Sequence, residues 1–149
     1  MSSAFDPSKF MEQSADAGST NFEPIPAKEY TAIIDDVSEP RVVAGRDGDR
    51  VVFDVNFLLQ DEEVKAKLGR ELKVKAGIFV DTNSNGAMDM GKGKNVRLNQ
   101  LRAAVGQNKA GWKIPQLKGA GPLKVMVTLR PDKNSDAVYN DVKSFGAMK

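Results

Sequence analysis

The sequence contains no cysteine and no histidine. Without cysteine, a disulfide framework and a thiolate metal site are both excluded. Without histidine, the chain lacks the commonest general base, the commonest zinc ligand and the side chain that titrates near neutral pH. Catalysis would have to rest on carboxylates, lysine or tyrosine. We therefore predict a protein that is not an enzyme and that uses no cofactor and no metal.

Long apolar runs are absent too, since no stretch approaches the ~18 residues that a membrane-spanning helix needs. Residues 1–6 lack the basic start and the apolar centre of a secretion signal. These features predict a cytoplasmic protein with no membrane partner.

The 149 residues carry a net charge of only +2, but this charge is unevenly distributed. Residues 1–36 hold two basic and seven acidic side chains, so this leader carries −5 and the rest of the chain carries +7. A basic body predicts a polyanionic partner, although an ordinary solvated surface is also compatible with this charge. The length fits one domain with room for an arm.

Five segments show the pattern of β-strands, and they are residues 29–37, 50–59, 71–80, 123–129 and 137–145. One helix, capped by Asn95 and running to Val105, is expected between the third and fourth strands. Residues 40–49 hold several turn formers and predict a loop, while residues 61–68 predict a helical turn or a polar hairpin.

The order of three strands, one helix and two strands predicts a mainly β protein, namely a five-stranded OB-type barrel with one helix between the third and fourth strands. Other small α+β folds accept the same order. Residues 1–27 are rich in Ser, Ala, Asp, Gly and Pro, so we predict a flexible acidic N-terminal arm with a short helix within residues 8–17. Residues 28–149 would then form the OB-type domain.

An aromatic ring shares one side of the third predicted strand with two lysines. Phe79 alternates in phase with Glu71, Lys73 and Lys75, whereas the apolar residues of that strand point to the other side. Flat rings stack on any base, and ammonium groups follow the phosphates, so this set predicts a surface that binds single-stranded DNA. The alternative is that Phe79 tucks under a loop at the strand end. Tyr139 and Lys143 form a similar set on the last strand, with Phe145 in phase.

Basic residues also occupy the two loops that flank the binding groove in OB barrels. The first long loop and its borders hold Arg41, Arg46 and Arg50, and the last turn holds Arg130 and Lys133. We include all five in the predicted DNA-binding set. Trp112 is either a further stacking ring or a lid on the helix, and we favour the lid while keeping it in the set.

A glycine-rich segment fits part of a phosphate-binding loop. Residues 86–92 match the first seven positions of that motif, but Gly93 stands where a magnesium-binding Ser or Thr belongs. We therefore do not expect nucleotide hydrolysis. Lys92 and Lys94, just before a helix, still suit a phosphate oxygen of DNA, and Arg97 in the first turn of that helix joins the set.

Carboxylates give two weaker motifs. Residues 81–86, with Asp89, match part of a calcium loop, but Lys92 replaces the bidentate glutamate and would repel the cation, so we expect a polar turn. A metal-dependent nuclease would need paired carboxylates, and no such spacing relates the candidates, which are Asp54, Asp81, Asp89 and Asp141.

Three stretches resemble a family of small phage proteins that has long been described as a domain of unknown function. The genes of this family lie among phage recombination and replication genes. The three stretches are residues 22–32 (FEPIPAKEYTA), 91–108 (GKGKNVRLNQLRAAVGQN) and 139–145 (YNDVKSF). The resemblance implies an OB-type, largely sequence-independent single-stranded-DNA-binding protein of phage replication and recombination. It also implies action in the host cytoplasm beside recombinases or replication proteins, and it carries no catalytic residues.

Single-strand-binding proteins of phages and bacteria often end in an acidic tail, whereas residues 144–149 end in lysine. Either partner recruitment is absent, or the acidic leader recruits partners and competes with DNA instead. The charge of −5 on the leader leads us to the second hypothesis. The alternative function is that of a protein-interaction adaptor or a virion-associated phage protein that binds no DNA. The sequence leaves open whether the chain forms a homo-oligomer.

Overall fold

The computed structural model describes residues 5–18, 23–45 and 48–148. Within these ranges the strands β1 to β6 span Lys28–Val37, Arg41–Gly45, Gly48–Gln60, Leu72–Val80, Leu123–Pro131 and Val138–Ala147. The helices α1 to α3 span Pro7–Met11, Glu62–Leu68 and Val96–Ala104, and a 3-10 turn covers Ile114–Leu117. The prediction of a mainly β protein is confirmed.

The strands form one antiparallel sheet in the order β2-β3-β1-β5-β6, with β4 paired to β3. Residues Val51–Leu59 of β3 pair with β4, so β1 and β2 share the opposite edge of β3. Among the described residues β4 and β6 approach each other without pairing, so the sheet is open. The predicted OB-type barrel has five strands, whereas this sheet has six strands in the described ranges and is not closed.

The additional strand is β2, which lies in the segment predicted to be a loop. Residues 41–45 pair with residues 48–52, and Gly48 adopts a φ of +119°, which a tight turn accepts only from glycine or a few polar residues. Pro40 separates β1 from β2 by interrupting the strand. The turn formers that suggested a loop therefore mark the two ends of a short hairpin strand.

The core lies on the inner side of the curved sheet. Residues of β4 alternate strictly between buried and exposed, as the sequence predicted, and Phe53 and Phe57 of β3 are completely buried. Leu98 and Leu101 bring α3 onto this core. The segment 61–68 is the helix α2, capped by the carboxylate of Asp61, which accepts the backbone N–H of Val64.

Helix α3 packs against both β4 and β6 and covers the gap between them. Arg97 reaches β6, where its guanidinium donates to the carbonyls of Val142 at 2.8 Å and Lys143 at 3.2 Å. The helix sits between the third and fourth predicted strands in the chain, as expected. Its start differs from the prediction, because Asn95 precedes the helix without capping it through its side chain.

The described part of the leader is exposed from Phe5 to Gly18, and α1 is shorter than the expected helix within residues 8–17. The chain joins the core at Ile25, which is 1% exposed. The Asn140 side chain accepts from the backbone N–H of Ile25 at 2.9 Å and donates to its carbonyl at 2.8 Å. No helix in the described ranges has the length and apolar character that crossing a membrane requires.

Candidate nucleic-acid interface

Three strands present an outer surface, which we call the basic face, and its basic and aromatic members are Arg41, Arg50, Lys73, Lys75 and Phe79. The carboxylates of Asp54 and Glu71 lie on the same surface. The register of the sheet brings the basic and aromatic members together. Val52 of β3 lies between Arg41 on β2 and Phe79 on β4, and Arg50 is the next outward residue along β3. Outward residues two apart on neighbouring strands lie within reach of long side chains.

The ring of Phe79 is 44% exposed, so it is not covered by a loop at the end of β4. The guanidinium carbon of Arg50 lies 4.1 Å from the ring centroid. A planar cation over a ring is a favourable pair, and a guanidinium plane can also stack on a base. Phe79 and Arg50 therefore form an exposed stacking unit on the sheet surface.

The surface beside this unit lacks a side chain at one position of β4. Gly77 lies between Lys75 and Phe79 on the outward side of β4 and contributes no side chain. A Cβ atom there would meet only Asp54 Oδ1 at 3.6 Å and Val52 Cγ2 at 3.7 Å, so space alone does not demand glycine. The missing side chain next to an exposed ring leaves room for the face of a base, with the Arg41-paired carboxylate of Asp54 at its border.

The cations of the basic face differ in how far they are neutralised. Arg41 pairs with Asp54, with Nη1 2.9 Å from Oδ2 and Nη2 3.5 Å from Oδ1. Lys73 lies 3.8 Å from Asp35 and 3.9 Å from Glu71 in exposed ion pairs, which are individually weak. Lys75 is exposed and has no ion pair with any residue in the described ranges.

A second exposed pair of this kind lies on β5 and β6. Arg130 faces Tyr139 across the strands, its guanidinium carbon is 5.2 Å from the ring centroid, and the tyrosine is 47% exposed. Arg130 Nε also donates to Asp141 Oδ2 at 2.9 Å. Lys133 is exposed in the adjoining turn.

The adjoining turn is stabilised by Asp132. Its carboxylate accepts hydrogen bonds from the Ser135 hydroxyl at 2.8 Å and from the Asn134 backbone N–H at 3.2 Å. These bonds to the charged form lower the pKa of Asp132, the bond from Ser135 most. The turn therefore holds Lys133 beside Arg130 and Tyr139 in a defined conformation.

Two predicted DNA-binding residues face inward instead. Arg97 donates to backbone carbonyls and lies 4.8 Å from the Phe145 ring, and desolvation lowers its pKa. Trp112 packs against the core, donates from Nε1 to Gln107 Oε1 at 2.8 Å and has the Arg102 guanidinium 4.6 Å from its ring. Trp112 thus lies as a lid beside α3, the position that we favoured.

Phe145 faces inward as well, with its ring centroid 5.6 Å from that of Phe57 in the core. It therefore does not join Tyr139 on the outer surface. Lys143 lies exposed at a bulge of β6, while its carbonyl is occupied by Arg97. Arg46 lies outside the described residues.

Asn95 organises the loop that precedes α3. It is 3% exposed, its Nδ2 donates to the carbonyls of Asp81 at 3.0 Å and Asp89 at 2.8 Å, and its backbone N–H donates to Asp81 Oδ2. Sequence reasoning assigned Asn95 only a capping role. Lys92 and Lys94 are exposed on this loop. They belong to the segment between β4 and α3 and not to the strands of the basic face.

The carboxylates considered for metal chemistry are occupied elsewhere. Asp54 and Asp141 pair with arginines, and Asp81 and Asp89 accept backbone N–H groups of Asn95 and Gly91. Asn83 Oδ1 accepts two further N–H groups of the same loop, which makes the calcium-like segment a polar turn. The described residues contain no group of three acidic side chains that could hold a metal ion.

Neither a scan against models of protein families nor a search of curated proteins finds a match for this chain.

Proposed function

We propose that this protein binds single-stranded DNA on the basic face, with little sequence preference and without chemistry of its own. The observation that carries the proposal is the exposed Phe79 ring with the Arg50 guanidinium 4.1 Å above it. Stacking on such rings accepts every base, because every base has a π face. Arg50 and Lys75 would neutralise phosphates on either side of the stacked base.

The second exposed unit, Arg130 with Tyr139, supports an extended contact. It would bind further nucleotides of the same strand, with Lys133 on their phosphates. Lys92, Lys94 and Lys143 would add electrostatic attraction from the surface around α3 and β6. Arg41 would contribute only by exchanging Asp54 for a phosphate.

The arrangement of strands supports an OB-type assignment for the domain. Strands β1, β3 and β4 form a meander, α3 covers the gap between β4 and β6, and β5 pairs back onto β1. A partly open barrel of this kind uses the surface of its second and third strands for oligonucleotides. Strands β3 and β4 correspond to that surface. The resemblance to phage proteins adds the context of phage replication and recombination in the host cytoplasm.

The test is a titration of the full chain against labelled oligothymidylate, the same sequence as a duplex, and the matching RNA, at several salt concentrations. We expect preferential binding of the single strand. The three phosphate contacts of Arg50, Lys75 and Lys133 predict a slope of log K against log salt of about −2. Equal binding of the duplex, or a slope near zero, would contradict the proposal.

A second function is that of a protein-interaction adaptor. The observation in its favour is the exposed apolar surface of the arm, where Phe5 and Phe10 contact each other and Met11 is 83% exposed. Exposed apolar side chains of this size often mark protein contacts. The same titration separates the two functions, because an adaptor would bind none of the three nucleic acids.

A further inference from the structure

Arg102 is a buried cation without an acidic partner in the described residues. It lies near the end of α3 and is 6% exposed. Its Nη1 donates to Asn99 Oδ1 at 2.9 Å, and its Nη2 donates to the carbonyl of Lys109 at 2.8 Å. Nε is buried with no hydrogen-bond partner in the described chain. Every oxygen that contacts this guanidinium is neutral.

Burying a charge in this way is costly unless an opposite charge is supplied. The C-terminal end of α3 supplies only a partial negative charge, and the Trp112 ring supplies only the negative face of a quadrupole. Desolvation lowers the pKa of Arg102, yet an arginine stays protonated. The site therefore retains an excess of positive charge.

Two adjoining surface pockets open beside this guanidinium. One has a volume of about 380 Å³ and is lined by Met90, Asn99, Arg102, Asn108, Lys109 and Ala110. The other, of about 310 Å³, shares four of these residues and extends to Trp112. The larger pocket thus combines a buried guanidinium, an exposed ammonium and two side-chain amides, and its lining contains no carboxylate.

We propose that this pocket binds one phosphate group, held by Arg102 and Lys109 with the side-chain amide of Asn108. The Asn99 amide orients Arg102, since its Oδ1 accepts from Nη1 and its Nδ2 donates to the carbonyl of Lys94 at 3.4 Å.

Nη1 of Arg102 is engaged by Asn99 and Met90, and Nη2 uses one N–H on the carbonyl of Lys109, so Nε and the second N–H of Nη2 remain as a pair of donors. Such a pair matches a phosphate, and the lysine adds a second positive charge at the rim. The pocket lies beside α3, apart from the basic face, and its occupancy does not depend on the proposed function. The phosphate would come from a free phosphate or mononucleotide, or from a nucleic-acid backbone.

The experiment titrates the full chain with inorganic phosphate at constant ionic strength, using chloride as the balancing anion, and follows ¹H–¹⁵N NMR signals. We expect saturable shifts of the Asn99 and Asn108 side-chain amides and of the backbone amides of residues 109–111. Lys109→Gln should weaken phosphate binding about fivefold, since it removes one unit charge at the rim. Lys67→Gln, an exposed lysine on α2, is the matched control and should leave the affinity unchanged.

Shifts that grow linearly without saturation would overturn the proposal, and so would equal affinities of the Lys109→Gln and Lys67→Gln variants. Because Lys109 is exposed, its replacement leaves the buried contacts of Arg102 intact. Parallel titrations with thymidine monophosphate and oligothymidylate identify the source of the phosphate. If phosphate and thymidine monophosphate shift these signals but the oligonucleotide does not, the pocket binds free phosphates and not a nucleic-acid backbone. If the chain does not bind oligothymidylate at the basic face but phosphate still shifts these signals, the proposed function fails and the pocket proposal stands.

Discussion

The molecule contains two kinds of arginine–aromatic pair, and they differ in what else the arginine contacts. Arg50 with Phe79 and Arg130 with Tyr139 lie on outward faces of the sheet, where about half of each ring is exposed. The pairs Arg97 with Phe145 and Arg102 with Trp112 lie around α3, and their guanidiniums donate to backbone carbonyls.

The comparison teaches that ring and cation together do not identify a binding surface. A guanidinium that satisfies buried carbonyls contributes to stability, because its loss leaves those carbonyls unpaired. The guanidinium of Arg50 lies on an exposed ring and satisfies no buried carbonyl of the described residues. Arg130 also lies on an exposed ring but pairs with Asp141, which it would exchange for a phosphate. We therefore expect mutations to separate the two kinds of pair, with inward pairs affecting unfolding and outward pairs affecting DNA binding.

The largest expected effect comes from the inward ring of Phe145. Phe145→Ala should lower the free energy of unfolding by about 3 kcal/mol, since it removes packing against Phe57 and the partner of Arg97. The measurement is urea denaturation followed by circular dichroism. The outward counterpart, Tyr139→Ala, should change stability by less than about 1 kcal/mol. Similar losses of unfolding free energy in both variants would show that inward and outward rings do not differ in their contribution to stability.

A smaller effect on stability is expected from Arg97. Arg97→Met should lower the free energy of unfolding by about 2 kcal/mol, because the carbonyls of Val142 and Lys143 lose a charged donor. Since Arg97 contacts the fold and not the outer surface, the folded variant should keep its affinity for oligothymidylate. Denaturation and a DNA titration on the same sample check both statements. Unchanged stability with weakened binding would return Arg97 to the DNA-binding set.

On the outward side, replacing Lys75 tests the electrostatic part of DNA binding. Lys75→Gln should make the slope of log K against log salt less negative by about 0.7, the contribution of one phosphate contact with a single strand. Lys67→Gln on α2 removes the same charge away from the basic face and should leave the slope unchanged. A larger change for Lys67 than for Lys75 would place the binding surface elsewhere.

The smallest effect concerns the arm. Deleting residues 1–21 removes more acidic than basic side chains, so the affinity for oligothymidylate should rise at low salt. The gain should vanish near physiological ionic strength, where the screening length is ~8 Å. Equal affinity of both forms at low salt would show that the arm does not compete with DNA.

Local patterns predicted every strand except β2, because the others have buried positions, most of them on one side, whereas β2 has none. The alternation of β4 follows directly from its sequence, and it also places Lys73, Lys75 and Phe79 on one surface. Strand β2 was missed because its short pairing is bounded by turn residues on both sides. Hydrogen-bond pairing between distant segments, which decides whether the sheet closes, has no local signal.

The direction of single side chains was harder to predict than the strands. Trp112 and Arg97 face inward because α3 must cover the gap between β4 and β6, a tertiary requirement. Arg102 was missed although a signal existed. It lies four residues after Leu98 and next to Leu101, so the helical period places it on the buried face. An arginine at such a position needs polar partners, because a buried charge without them is costly.

In the proposed function, the exposed Phe79 ring stacks on a base of single-stranded DNA. The most direct test is the dissociation constant of oligothymidylate for Phe79→Ala beside Phe10→Ala, which removes a somewhat more exposed ring from the arm. We predict that Phe79→Ala costs about 1–3 kcal/mol, roughly 5- to 150-fold in affinity, while Phe10→Ala changes nothing. Equal affinity of the two variants and the unmodified chain would contradict the account.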